Sequence, residues 1–223
     1  MEGNKLEEMI KKVEVALSGT QNSSAPGPDG ISYGFIKTIK DTTLGERVLE
    51  EVARNLIKEI ISRKWQNSKV VIISKPGKDH EKTKGWRPIN LINCIGKLEE
   101  KVVADGLQGC GLLHKHQFRS VKRRLAMEAA QRTATRAQRC IAKGGVVGWG
   151  FWDIKGGFQN VKEEDVIREL EKLEEGKNWI PWIRGFFRAR RFELEWEGKT
   201  RGKGKTNLGA PQGLLLSPII LLI

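Results

Sequence analysis

Hydrophobic residues recur three or four positions apart along much of the chain, which is the spacing of one face of an α-helix. The stretch between the first two such segments, residues 23–30, is rich in serine, proline and glycine and predicts an ordered loop. The periodic segments predict helices over residues 6–17, 44–60, 95–107, 125–142, 161–173 and 179–189.

Shorter hydrophobic runs predict β-strands. Residues 70–73 are all β-branched and the extended stretch 87–93 follows after one loop, so the two predict an antiparallel hairpin. Residues 192–196 alternate between hydrophobic side chains and glutamate, which predicts a strand with one solvated face. A glycine-lysine turn then leads into a basic partner strand.

An apolar run over residues 146–152 predicts a buried strand, and Asp153 ends it. A carboxylate in that place is costly to desolvate unless it binds something, and a divalent metal ion is the natural partner. Taken alone, a turn or helix-capping aspartate explains the residue more simply. The pattern therefore marks Asp153 as a candidate metal ligand without deciding its role.

Helices and strands alternate irregularly, without the repeated strand–helix–strand order of a doubly wound sheet, so the sequence predicts an α+β fold. The 223 residues suffice for one sizeable core, or for two lobes that share one. Residues 214–223 are strongly apolar. They are far fewer than the roughly 20 that cross a bilayer, so they predict a core element, and no membrane partner is expected.

The net charge of +13 is concentrated in the middle of the chain. Residues 64–143 contain 18 lysines and arginines against 6 acidic residues, whereas residues 1–63 and 144–223 are close to neutral. Such a basic region is typical of proteins that bind a polyanion, and nucleic acid is the first candidate. A lysine-rich solvated surface explains the charge equally well on its own.

The cysteines number three and show no CxxC spacing, which indicates reduced thiols in an intracellular protein. Cys110, His114 and His116 lie close together in the sequence and are the type of residue that binds zinc. A fourth ligand and the usual paired spacing are missing, so no zinc site is expected.

Five short blocks, taken together and in order, resemble the reverse transcriptase of a non-LTR (LINE-like) retrotransposon. The resemblance extends from about residue 23 to the end of the chain, and such collinearity is hard to explain by chance. The blocks are Gly27-Pro28-Asp29-Gly30; residues 75–90, with Lys75-Pro76-Gly77-Lys78 and Trp86-Arg87-Pro88-Ile89-Asn90; residues 117–126; Asp153 with Gly156-Gly157-Phe158; and Pro211-Gln212-Gly213.

The resemblance implies part of a right-hand polymerase, with fingers and a partial palm but no thumb. Residues 1–22 are then an N-terminal helical leader. Residues 23–143 are a fingers-like basic region, and residues 144–223 are a partial palm that includes the strands near Asp153 and at 192–196. The implied partners are an RNA template, a DNA primer and deoxynucleotides, and the implied location is the nucleus if the element is functional.

The resemblance also implies roles for single residues in two-metal nucleotidyl transfer. Asp153 is then the catalytic carboxylate and ligates Mg²⁺ together with the backbone carbonyl of Ile154. Phe158 packs under the sugar of the incoming nucleotide. Gln212 and Gly213 then position the nucleotide and the template. The triphosphate is bound by Arg87, with Lys75 or Lys78 adding a positive charge.

The sequence departs from the family at several points. Leu214-Leu215 follows the glycine of the last block where relatives have a small polar residue and a proline, and Arg119 and Arg123 replace glycines, which predicts local backbone strain. No aspartate pair follows, so we expect a truncated and inactive polymerase. We also expect the 214–223 run to leave apolar surface exposed. The alternatives are a non-catalytic RNA- or DNA-binding remnant, and a remnant that does not fold.

Overall fold

The computed structural model describes residues 2–62, 65–188, 190–207 and 209–223. Within them helices and strands are mixed, which confirms the α+β prediction. In chain order the elements are α1 (Glu2–Ser18), α2 (Tyr33–Ile39), α3 (Thr43–Ile57), β1 (Asn67–Ser74), β2 (Trp86–Leu91), α4 (Cys94–Gly109), α5 (Ala126–Ala142), α6 (Gly157–Asn160), α7 (Glu163–Glu171), α8 (Glu174–Lys177), α9 (Ile180–Phe187), β3 (Arg190–Trp196), β4 (Lys199–Thr206) and α10 (Ser217–Ile220).

The four strands form one sheet in the order β2-β1-β3-β4. β1 pairs antiparallel with β2, with Val71 opposite Ile89, and this confirms the predicted hairpin. On its other side β1 pairs in parallel with β3, with Val70 opposite Leu194, and β3 pairs antiparallel with β4. The strand predicted at 192–196 is thus part of the same sheet as the 67–91 hairpin.

The helical core forms around α1, α3 and α4, which pack against one another. α3 begins at an N-cap, where the Thr42 hydroxyl accepts a hydrogen bond from the Gly45 amide at 3.3 Å. α1 buries Val13 and Leu17 in the same core to which α4 contributes Leu98. The segment predicted as a leader is thus packed into the main body of the fold.

The last ten residues are more buried than expected, although Leu215 is 48% exposed. Leu216 is fully buried, and Ile219 and Ile220 of α10 are nearly so. All three belong to the same core as α4 and α9. The backbone of this short turn is hydrogen-bonded locally, since the amides of Ile219 and Ile220 donate to the Leu216 carbonyl oxygen at 2.9 and 3.0 Å.

The prediction of a strand that ends at Asp153 is wrong. Residues 145–154 have no regular secondary structure, and their large side chains point into solvent. Trp152 is 96% exposed and Val146 95% exposed. An extended segment needs a neighbouring strand to pair its backbone groups, and no described strand lies beside this one. This segment therefore exposes more apolar surface than residues 214–223 do.

α5 is the helix of the basic region, and none of its residues is buried. The loop before it contains Arg123 with φ +60°, where glycine is favoured, as the sequence predicted, whereas Arg119 does not have a positive φ. Among the described residues, no helix combines the length and the apolar character needed to cross a bilayer.

Candidate functional site

A cavity of about 580 Å³ lies between the sheet, α4 and α9. Phe158 and Gln212, two of the predicted nucleotide-binding residues, both line it. The structure thus brings together one residue from each of the last two sequence blocks. The other predicted site residues lie outside the cavity lining, namely Lys75, Lys78, Arg87, Asp153, Ile154 and Gly213.

Gln212 sits on a loop, residues 209–216, that is anchored through its backbone. The Asn90 amide of β2 donates to the Gln212 carbonyl oxygen at 2.8 Å, and the Asn90 side-chain amide donates to the same oxygen at 3.4 Å. The Ala210 amide donates to the Phe158 carbonyl oxygen at 2.7 Å. These bonds fix Gln212 relative to both β2 and Phe158.

A buried carboxylate of α4 anchors the far end of this loop. The Leu215 amide donates to Oε2 of Glu100 at 3.1 Å, and the Leu216 backbone also hydrogen-bonds to this carboxyl group. Burial raises the pKa of Glu100 to about 8, although these hydrogen bonds and two nearby cations oppose the shift. Glu100 therefore positions the loop and has no access to solvent.

Arg190 of β3 anchors the beginning of the loop. Its Nη2 donates to the Gly209 carbonyl oxygen at 2.7 Å, and its guanidinium lies 5.5 Å from the centre of the Phe186 ring. Burial lowers the pKa of Arg190 to about 10, while the nearby Glu100 opposes that change. The guanidinium remains charged at neutral pH, and its charge favours the ionised form of Glu100.

Two glycines allow this loop to approach its neighbours closely. Gly213 adopts φ +99°, and a β-carbon there would lie 2.8 Å from Cγ2 of Ile89. Gly209 adopts φ +64°, and a β-carbon there would lie 2.6 Å from the Phe158 carbonyl oxygen. Gly213 thus allows the loop to approach β2 closely.

Asp153 is exposed and lies apart from the cavity. A turn through Gly156, with φ +67°, separates it from α6, which carries Phe158. No group of three histidine, cysteine, aspartate or glutamate side chains is close enough to hold a metal ion within the described part of the chain. The residues around Asp153, including Ile154, thus do not form a metal site by themselves.

The three predicted phosphate-binding cations lie on the β1–β2 hairpin. Nζ of Lys75 donates to the Lys84 carbonyl oxygen at 2.8 Å, and Lys78 follows the turn at Gly77. Arg87 is exposed near the start of β2, on the opposite face of that strand from Asn90, because successive side chains alternate. Since Asn90 lines the cavity, Arg87 faces away from Gln212.

Sequence reasoning missed the residues that hold the loop, which are Asn90, Glu100 and Arg190. Asn90 lies in the second of the five sequence blocks, but no role was predicted for it. A signal existed for Glu100, since Glu99-Glu100 interrupts the apolar pattern of a predicted helix with two adjacent acids. Adjacent carboxylates that the surrounding hydrophobic residues must bury indicate a partnered or functional site.

The candidate zinc residues show ordinary local contacts. Sγ of Cys110 donates to the Gly106 carbonyl oxygen at 3.2 Å. The rings of His114 and His116 lie 5.3 Å apart in exposed positions. These contacts are those of a helix end and a surface loop.

Residues 73–223 match the model of the family described as reverse transcriptase (RNA-dependent DNA polymerase). The chain is 20% identical over 216 residues to the probable RNA-directed DNA polymerase from transposon BS of Drosophila melanogaster, covering 95% of this chain and 24% of that protein. It is 22% identical over 216 residues to the RNA-directed DNA polymerase from mobile element jockey of Drosophila funebris, covering 95% of this chain and 23% of that protein.

A third relative is the probable RNA-directed DNA polymerase from transposon X-element of Drosophila melanogaster, 21% identical over 204 residues, or 89% of this chain and 22% of the relative. The chain spans about a quarter of the length of these relatives. The similarity confirms the resemblance to non-LTR retrotransposon polymerases. Because the family model matches more than half of the residues, the chain belongs to the reverse transcriptase (RNA-dependent DNA polymerase) family.

Proposed function

We propose that the cavity beside the 209–216 loop positions the incoming deoxynucleotide during template-directed DNA synthesis. Gln212 is proposed to hydrogen-bond the nucleotide through its amide, which offers both a donor and an acceptor. Phe158 is proposed to pack under the sugar. The observation that carries this proposal is the anchoring of Gln212 and Phe158 to one another through the 209–216 loop, with both side chains on one cavity.

The anchoring supports a binding role because it fixes the loop before a nucleotide arrives. A side chain that is already held in place loses little conformational freedom on binding. The loop is tied to β2 through Asn90, to β3 through Arg190 and to α4 through Glu100. Gly213 lets the loop lie directly on β2, which supports its proposed place beside the template.

The basic region is proposed to bind the RNA template and the DNA primer. The family implies a nucleic-acid template and nucleotide substrates. Lys75, Lys78 and Arg87 extend from the β1–β2 hairpin, and α5 adds exposed arginines without burying any residue. Phosphate contacts of this kind release counterions, so affinity should fall steeply as salt is raised. In this assignment residues 23–143 act as fingers.

The family generally uses divalent metal ions, and we propose Mg²⁺ with Asp153 and the Ile154 carbonyl among its ligands. The arrangement around Asp153 does not fit a metal ion on its own, since two-metal sites need several convergent carboxylates. The chain as it stands is therefore proposed to bind template, primer and nucleotide without extending the primer.

A second candidate function is non-catalytic binding of RNA or DNA. α5 favours it, because this helix presents exposed arginines and has no buried residue. The two candidates differ in the expected role of Gln212. A simple nucleic-acid-binding module would bind a template–primer duplex equally well whether or not the matching nucleotide is present.

The test is fluorescence anisotropy of a labelled RNA template–DNA primer duplex titrated with the whole chain in Mg²⁺. The deoxynucleotide complementary to the next template base should tighten binding about tenfold, an effect of one or two good hydrogen bonds. Gln212→Ala should remove that gain, whereas Gln21→Ala, a change at an exposed loop glutamine, should keep it. An affinity that ignores the nucleotide would contradict the proposed site.

Primer extension by the same preparation tests the second part of the proposal. No extension is expected. Template-dependent incorporation that disappears in Asp153→Ala would show that the chain is catalytic after all. Incorporation that survives that substitution would indicate a contaminating polymerase, because Asp153 is the proposed metal ligand.

A further inference from the structure

The cavity reaches past the 209–216 loop to a wall where α4 and α9 face each other. Glu99 of α4 lines this wall and is 1% exposed. Its Oε1 atom is buried and has no hydrogen-bond partner among the described residues. A buried carboxyl oxygen without a partner is costly, and this one borders a space that another molecule can enter.

A second polar atom in the cavity wall has the same property. Trp182 of α9 lines the cavity, and its Nε1–H is buried without a partner in the described part of the chain. The other aromatic residues of the lining are Trp65, Phe158, Phe186 and Phe192. The volume of about 580 Å³ lies in the range of ordinary small-molecule sites, which are mostly apolar with a few placed polar groups.

The charges around Glu99 favour a cationic occupant. Glu100 on the same helix and Glu51 on α3 are the acidic neighbours, while Asn55 of α3 donates a hydrogen bond to the Glu99 carboxyl group. The two buried cations beside Glu100 already have backbone partners, since Lys97 donates to the Ala25 carbonyl oxygen and Arg190 to the Gly209 carbonyl oxygen. Both cations act on Glu100, whereas the charged neighbours that act on Glu99 are acidic, so a positive charge on a bound molecule would compensate the carboxylate of Glu99.

We propose that this part of the cavity binds a small aromatic amine, with the ammonium group on Glu99 and the flat apolar body against the aromatic wall. Ammonium groups are attracted both to carboxylates and to the faces of aromatic rings, and most strongly to tryptophan. The amine and the proposed nucleotide share one cavity, but the amine is assigned to Glu99 rather than to Gln212, so variants of the two residues test the two proposals separately.

The test uses tryptamine and its neutral analogue tryptophol, in which a hydroxyl group replaces the amine. Calorimetric titration of the whole chain should show tryptamine binding about tenfold more tightly than tryptophol, the gain from one charge-assisted hydrogen bond. Burial raises the pKa of Glu99 well above its usual value, so tryptamine binding should also release a proton to the buffer. Titration in two buffers of different ionisation enthalpy measures that proton.

Two substitutions separate the proposed site from nonspecific uptake. Glu99→Gln keeps the size of the side chain and should remove both the preference for the amine and the proton release. Val70→Phe adds a ring from the cavity wall and should weaken both ligands equally. Dispersed ¹H–¹⁵N spectra confirm that each variant is folded, and the indole N–H signal of Trp182, identified with Trp182→Phe, should move when tryptamine binds to the wild-type chain.

Equal binding of tryptamine and tryptophol would overturn the proposal, because an apolar cavity without a cation site predicts that result. Failure of both ligands to bind the wild-type chain would overturn it as well. A preference for tryptamine that persists in Glu99→Gln would place the ammonium elsewhere and contradict the assigned contact. None of these outcomes bears on nucleotide binding by Gln212.

Discussion

The 209–216 loop contains Gln212 and the 145–154 segment contains Asp153, the two residues of greatest functional interest. The two stretches differ in how they are held by the rest of the protein. The loop is hydrogen-bonded to β2, β3, α4 and the backbone at Phe158. The segment has no strand partner among the described residues, and Phe151 is 90% exposed. One is anchored in the core and the other lies on the surface.

The difference shows that hydrophobicity alone does not make a strand. The 145–154 segment is the more apolar of the two, yet an isolated extended chain leaves its backbone groups to water. The loop contains proline and two glycines with positive φ, yet it is fixed because neighbouring elements offer matching donors and acceptors. Long-range partners, rather than local composition, determine the order of each segment.

The largest contrast is expected from truncating one aliphatic side chain in each region. Leu216→Ala should lower the free energy of unfolding by about 3 kcal/mol, because a fully buried leucine leaves a cavity. Ile154→Ala should change it by less than about 0.5 kcal/mol, because that side chain is 76% exposed. Urea denaturation followed by circular dichroism measures both, and equal losses would contradict the comparison.

The carboxylate that anchors the loop should have the next largest effect. Glu100→Ala removes the acceptor of the Leu215 amide at a fully buried position and should cost about 2 kcal/mol of unfolding free energy. Glu14→Ala, at an exposed position of α1, is the control and should be nearly neutral. A Glu100 variant as stable as this control would mean that the loop is held without the carboxylate.

A pH effect of the same residue sharpens the comparison. The folded chain keeps the Glu100 proton up to about pH 8, whereas the unfolded chain loses it near 4.5. Unfolding therefore releases a proton in this window, and stability should fall by about 1 kcal/mol or more from pH 5 to pH 8. Glu99 shifts in the same direction and adds to the slope.

Denaturation midpoints at pH 5, 6.5 and 8 measure this slope. Glu100→Gln keeps an acceptor for the Leu215 amide but cannot ionise, so its stability should depend less on pH than that of the wild-type chain. An unchanged slope would show that Glu100 titrates at its ordinary pKa.

The smallest effect on stability is expected on the exposed segment. Replacing Phe151 and Trp152 with serine removes apolar surface that packs on little else, so the unfolding free energy should stay within about 0.5 kcal/mol. Solubility should rise, because contiguous exposed apolar surface promotes association. Light scattering against concentration measures this, and a loss of stability would indicate that the segment packs on the body of the protein.

Sequence patterns predicted the elements whose order depends on their own residues. α1, α3, α4 and α5 carry periodic hydrophobic or basic faces, and β3 shows strict alternation, so each was found within a few residues. α2 was missed because only seven residues form it, and Tyr33 and Ile36 alone mark its buried side. Short helices take their order from packing, which a local pattern does not record.

The candidate site was predictable in part. The resemblance to reverse transcriptases predicted Phe158 and Gln212 as nucleotide-binding residues, and both line one cavity in the structure. The pairing of β1 with β3 joins residues more than a hundred positions apart, so neither the cavity nor the roles of Glu100 and Arg190 follow from local sequence. The strand expected before Asp153 was predicted wrongly for the same reason. A strand needs a neighbouring strand to pair with, and the residues of the segment alone do not show whether one is present.

Hydrogen–deuterium exchange of the whole chain tests the central comparison most directly. The amide of Leu215, which donates to Glu100, should exchange at least about a hundredfold more slowly than an unstructured amide, since it opens only when the core does. The amides of residues 146–154 should exchange near the unstructured rate. Protection of residues 146–154 equal to that of Leu215 would contradict the account, because it would require a paired strand before Asp153.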